Sequence, residues 1–145
     1  MKRFRSRIES LKRVREQAEQ LARLQAAVCR QEKNTADDRV AGLSERLAAV
    51  AAEGPEELSR GRVEIMQAIM NSTARLEAER RVAVAEQTVA DLRLQQAVQQ
   101  VADAKTELKT AETHIEKEWT EHRRKSRIEE ENQRHEDTAR RFTRP

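Results

Sequence analysis

The clearest pattern in the chain runs from Ala90 to Ile115. Its small and apolar positions are Ala90, Leu94, Ala97, Val101, Ala104, Leu108, Ala111 and Ile115, four and three residues apart in strict alternation. That spacing keeps one narrow stripe on one face of a helix. Alanine alternates with branched aliphatics along it, so a partner helix can approach closely, and a partner that also offers alanine suits it. An earlier stripe is looser: Phe4, Ile8, Leu11, Ala18, Leu21, Ala22, Val28, Cys29, Ala36, Val40, Leu43, Leu47 and Val50, mostly three or four apart. The same segment of chain offers matching alanines at Ala18, Ala22, Ala26 and Ala36.

Between the two stripes the helix breakers gather. Gly54-Pro55 follows Ala51-Ala52-Glu53, and Gly61 comes shortly after. Proline lacks an N–H and disfavours helix at the residue before it, so the first helix is expected to stop near Glu53. Pro55-Glu56-Glu57 then reads as the opening turn of a second helix, although Gly61 can instead move that start to about Arg62. The expected fold class is all-α: a long two-helix antiparallel coiled-coil hairpin with a C-terminal helical overhang. It forms a single unit over 1–145, with helix 1 about 5–53, a bend at 54–61 and helix 2 about 62–141. A bend centred there pairs residues whose numbers add to roughly 110 to 115. Ile8 then faces about position 105, Leu43 faces about position 70, and the overhang begins near Ala111.

Composition agrees. Ala, Glu, Lys, Leu and Arg make up 81 of the 145 residues, and only Phe4, Trp119 and Phe142 are aromatic. Charged residues are 38% of the chain. Large aromatics and branched aliphatics normally supply buried area, so a compact core with a concave catalytic pocket is not expected. No stretch approaches the ~20 apolar residues of a membrane span. The Arg-rich N-terminus lacks a continuous apolar segment, which argues against a signal peptide. A mitochondrial presequence shares its composition, but the helical pattern from Ile8 onward argues for mature structure. Cys29 is the single cysteine, which excludes an intrachain disulfide and fits a reducing compartment.

Charge is segregated. Residues 1–15 hold seven basic residues against one acid, residues 16–122 hold 14 against 20, and residues 123–145 hold eight against five. A hairpin brings both basic segments to one end, where an acidic partner surface would fit.

Little in the sequence carries chemistry. His114 and His122 share a helical face with Glu118 between them, but no four-ligand metal cluster exists. Cys29 lies on the apolar stripe and reads as a buried structural thiol rather than a nucleophile. No glycine-rich phosphate loop is present. The expectation is therefore no catalytic residue, no cofactor, no metal and no small-molecule substrate. The run Arg123-Arg124-Lys125-Ser126-Arg127 could meet phosphates, but no stacking aromatics interleave it and Glu129-Glu130-Glu131 follows, which argues against nucleic acid. Near the bend, Val63, Ile65, Met66, Ile69 and Met70 exceed what a two-helix seam needs. They either widen the seam or make an adaptable contact. Trp119 is either an anchor for a partner or a loosely packed ring.

Two segments resemble a known family. Phe4-Arg5-Ser6-Arg7-Ile8-Glu9-Ser10-Leu11, then Val14-Arg15-Glu16 and Ala22, is similar to the N-terminus of the flagellar export stalk proteins (the FliJ family). The tail, Trp119, Arg123-Arg124, Arg127 and Glu136-Asp137-Thr138-Ala139-Arg140-Arg141-Phe142, resembles that family's C-terminal end. Stalk proteins of virulence-type secretion systems share the plan. The resemblance implies a non-enzymatic stalk, like the rotor shaft of rotary ATPases, that enters a ring-shaped hexameric export ATPase. It also implies contact with the export-gate membrane protein and with export chaperones, in the cytoplasm at the inner membrane. On that basis Phe4, Arg5, Arg7, Ile8, Leu11, Arg123, Arg124 and Arg127 would meet the ring. Ile65, Met66, Ile69, Met70 and Trp119 would meet the gate or chaperones. From a different class, a self-associating coiled-coil scaffold would bury the same seam between chains, and a non-specific nucleic-acid-binding helical protein is a third reading.

Overall fold

The structure, a computed structural model, describes residues 8–144. It is all-α: α1 spans Glu9–Ser59 and α2 spans Val63–Thr143, antiparallel to each other, with no strand among the described residues. The expected first residues of helix 1, with Phe4, Arg5 and Arg7, lie outside the described residues.

The chain divides into two compact units. Unit 2, residues 22–101, is the hairpin itself, and unit 1 pairs the beginning of α1 with residue 102 onward of α2. In unit 2 the α1 seam is Ala22, Ala26, Cys29, Lys33, Ala36, Val40, Leu43, Leu47, Val50, Gly54 and Glu57, each buried or half-buried, with the four-three alternation unbroken. On α2 it is met by Met66, Ile69, Thr73, Leu76, Ala83, Gln87, Ala90, Leu94, Ala97 and Val101. In unit 1 the α2 stripe continues through Ala104, Leu108, Ala111 and Ile115, so the pattern from Ala90 to Ile115 is the buried face throughout.

The α1 stripe differs from expectation. Leu11, Leu21 and Val28 are exposed by 45%, 63% and 56%. The strict alternation instead puts Lys12, Arg15 and Glu19 at half-buried positions in unit 1. Their aliphatic stems cover the seam while their charged ends reach its edge, and Arg15 donates to the Glu107 carboxylate there. Leu11, Leu21 and Val28 each stand one residue before a seam position, on an adjoining outer face.

The turn is at Arg60–Arg62, at the far end of the expected 54–61 bend: α2 begins at Val63, next to the expected 62, whereas α1 runs on through Gly54-Pro55 to Ser59 instead of stopping near Glu53. Pro55 lies inside α1 and Gly54 is buried in the seam. Gly54 has no Cβ for the proline ring to strike, which eases the restriction on the residue before proline. Gly61 ends the helix with φ +69°, a left-handed conformation that suits glycine. The Gly61 N–H donates to the Leu58 carbonyl at 3.1 Å and the Arg62 N–H to the Glu57 carbonyl at 3.3 Å. Those two bonds are the paired closures of a Schellman motif. Where an apolar contact often locks the motif, Arg62 and Arg60 instead approach the Glu57 carboxylate at 3.8 and 3.7 Å.

Moving the turn moves the register. Lys33 pairs with Asp91, Arg39 with Glu86, Ser44 with Arg80 and Asp37 with Gln87, so facing numbers add to 124 or 125. Leu43 therefore faces about position 81 rather than 70.

The seam is thin. The buried hydrophobic residues are Ala22, Ala26, Leu43, Ala83, Ala90, Ala97 and Ala111. Leu43 is the one branched aliphatic among those buried residues.

Candidate interaction surfaces

With so little interior, the surfaces carry what this chain offers. Among the described residues no group of three or more His, Cys, Asp or Glu could hold a metal ion. Cys29 is half-buried in the α1 seam. No helix among them is long and apolar enough to cross a membrane.

In unit 2 a groove of about 460 Å³ opens beside the turn. Val50, Gly54, Pro55 and Leu58 of α1 line it with Met66, Ile69 and Met70 of α2. Proline contributes doubly: its ring is part of the wall, and its missing N–H leaves the Ala51 carbonyl, also in the wall, without the usual helical donor. The surplus apolar cluster expected here is divided. Met66 and Ile69 are half-buried in the seam, Met70 is 61% exposed over the groove, and Ile65, 40% exposed, is outside it. Of the two methionines, Met66 seals the seam and Met70 faces out over the groove.

A second groove in unit 2, of about 800 Å³, lies on the opposite side of the hairpin. Val28 and Thr35 of α1 and Val82, Ala85 and Val89 of α2 line it, with the charged residues Glu32, Arg39, Glu86 and Arg93. Sequence reasoning missed it because Val28 was assigned to the seam. The available signal was the adjacent pair Val28-Cys29: neighbouring positions on a helix diverge by about 100° and cannot both face one partner.

In unit 1 Arg123, Arg124 and Arg127, the described arginines among those expected to meet the ring, are exposed. Arg123 stands over the Trp119 ring at 5.5 Å, and His122 stacks on the same ring with centroids 6.1 Å apart. This arrangement follows from spacings of three and four on one helical face. The cation on the indole is an attraction of about 0.5–1 kcal/mol at such an exposed site. Trp119 is 41% exposed, so its ring still presents apolar surface. Arg124 and Arg127 are exposed and carry no ion pair among the described residues. Ile8 is half-buried and Leu11 exposed at the other helix of this unit. From Arg127 to Arg144 every side chain is exposed, including Ile128 and Phe142, so α2 ends as a helix with no buried face.

Compared with known proteins, the chain matches no protein-family model, no curated protein and no solved structure.

Proposed function

We propose that this chain is a non-enzymatic coiled-coil stalk of a flagellar-type protein export apparatus. It binds a ring-shaped hexameric export ATPase through its basic segment and couples that ring to the export gate and to export chaperones. The observation that carries the reading is the antiparallel helix pair with its exposed arginines: Arg123, Arg124 and Arg127 present uncompensated positive charge beside a half-exposed Trp119. A pore lined with acids would complement that charge and could also cover the indole. The groove beside the turn, with Met70 at its edge, is the surface offered to the gate or a chaperone. Under this reading the stalk works in the cytoplasm at the inner-membrane face, turns over no substrate of its own and needs no cofactor.

A second reading, a self-associating scaffold, is favoured by the exposed valines of the larger groove. A pull-down separates the two. The tagged full chain is the bait in extract of the source cells, and a variant with Arg123→Glu, Arg124→Glu and Arg127→Glu is the control. Capture of a hexamer-forming ATPase by the natural sequence, lost with the variant, supports the stalk. Recovery of the chain itself and no ATPase overturns the stalk and leaves the scaffold.

A further inference from the structure

We propose that the larger groove of unit 2 docks a second copy of this chain, related by a two-fold axis, so that two hairpins form a weak four-helix bundle. The groove crosses both helices. Its apolar part is Val28 on α1 with Val82 and Val89 on α2, exposed by 56%, 55% and 47%. The small residues Ala36, Ala85 and Ala90 leave room between them for side chains of another helix pair.

What identifies the occupant is the charge around those valines. Four charged residues line the groove, two acids and two bases. Arg39 and Glu86 satisfy each other across the hairpin at 2.7 Å. That leaves Glu32 on α1 and Arg93 on α2, opposite in sign; their numbers add to 125, so they face each other across the hairpin as Arg39 and Glu86 do, but neither has an ion pair among the described residues. A two-fold axis through the groove sets Glu32 of each copy against Arg93 of the other, and both contacts form at once. Such an interface is isologous: the same patch serves both partners. An unrelated protein would need an apolar strip with one acid and one base at matching places, whereas a second copy has them by construction. The groove beside the turn carries only Glu77 as a charged lining residue and so specifies no such mate.

The apolar contribution is three half-exposed valines per copy, so association is expected to be weak, with Kd on the order of 100 μM. The pairing goes beyond the export reading. Its residues lie in unit 2 and those of the pull-down variant in unit 1, so either proposal can fail alone.

Sedimentation equilibrium of the full chain from about 1 μM to about 500 μM tests it. The weight-average mass should climb from 16.8 kDa towards twice that value. Glu32→Arg and Arg93→Glu should each weaken association about tenfold, by bringing like charges together. An equimolar mixture of the two variants should regain it, because both cross-chain contacts become attractive again. Circular dichroism of each variant reports whether the helices persist. Val89→Gln, at a half-exposed position, should weaken association while leaving helicity intact. A natural chain that stays monomeric throughout, single charge variants that associate as well as the natural chain, or a mixture that gains nothing would each overturn the proposal.

Discussion

Replacing Pro55 by Ala should stabilise the hairpin, and replacing Gly61 by Ala should weaken it. Inside a helix, proline forfeits one hydrogen bond and crowds the preceding turn, at about 3 kcal/mol relative to alanine. Pro55 sits one turn before the helix ends at Ser59, and Gly54 relieves part of the clash, so the recoverable gain is about 1–2 kcal/mol. At Gly61 a Cβ would meet nothing within 4 Å, so steric crowding contributes no cost. What remains is the left-handed φ of +69°, which costs an alanine about 1–2 kcal/mol. Urea unfolding followed by far-ultraviolet circular dichroism reads both, and with a slope of about 2 kcal/mol/M the midpoints should move by about 0.5–1 M in opposite directions. Gly61→Asn should recover part of the loss, because asparagine tolerates that conformation better than alanine. If Pro55→Ala lowered the midpoint while Gly61→Ala left it unchanged, the turn would belong at Gly54-Pro55 and the register given above would be wrong.

Leu43→Ala should cost about 2–3 kcal/mol in the same assay, more than truncating the exposed Leu24, because Leu43 is only 6% exposed. Ala83→Leu should cost about 1–3 kcal/mol by overpacking, since Ala83 is only 1% exposed in the seam. Arg39→Gln should cost under about 1 kcal/mol, and the loss should shrink further in 1 M salt, because both members of the Arg39–Glu86 pair are half-exposed. Hydrogen exchange should be faster for amides of residues 127–143 than for those around Ala97, since the first segment has no buried face and the second lies in the seam.

The two helices were not equally legible. From Ala90 to Ile115 every seam position is small or aliphatic, so hydrophobic spacing and burial coincide. On α1 they separate. Seam positions Lys12, Arg15, Glu19 and Lys33 are charged residues whose stems do the covering, while Leu11, Leu21 and Val28 stand just outside. A reading that follows apolar residues drifts one position toward the N-terminus along that stretch. The turn misled for a related reason. Pro55 is the strongest local breaker, but it carries a buried glycine before it and packing on both helices, and these keep the helix going to Ser59. Gly61 was the informative residue, because its left-handed backbone can close a helix where no other residue nearby can do so as cheaply.

The surfaces were harder to read than the fold, and the cause is the seam itself. When alanine fills the interior, helix-facing area no longer requires the larger apolar residues, and valines, leucines and methionines are released to the outer faces. Their presence there cannot be recognised from spacing alone, since a heptad stripe and its neighbour differ by a single residue. Charge decides what each face can take. Arg39 and Glu86 are satisfied within the hairpin, so they stabilise the fold and specify no partner, whereas Glu32 and Arg93 are left to specify one. In unit 1 the same logic sets Arg124 and Arg127 apart from Arg15, which is engaged with Glu107. Recognition in a molecule of this kind resides in charges that stand at a groove without an ion pair. The turn at Gly61 sets which positions face each other across the hairpin, so it also determines which charges border each groove.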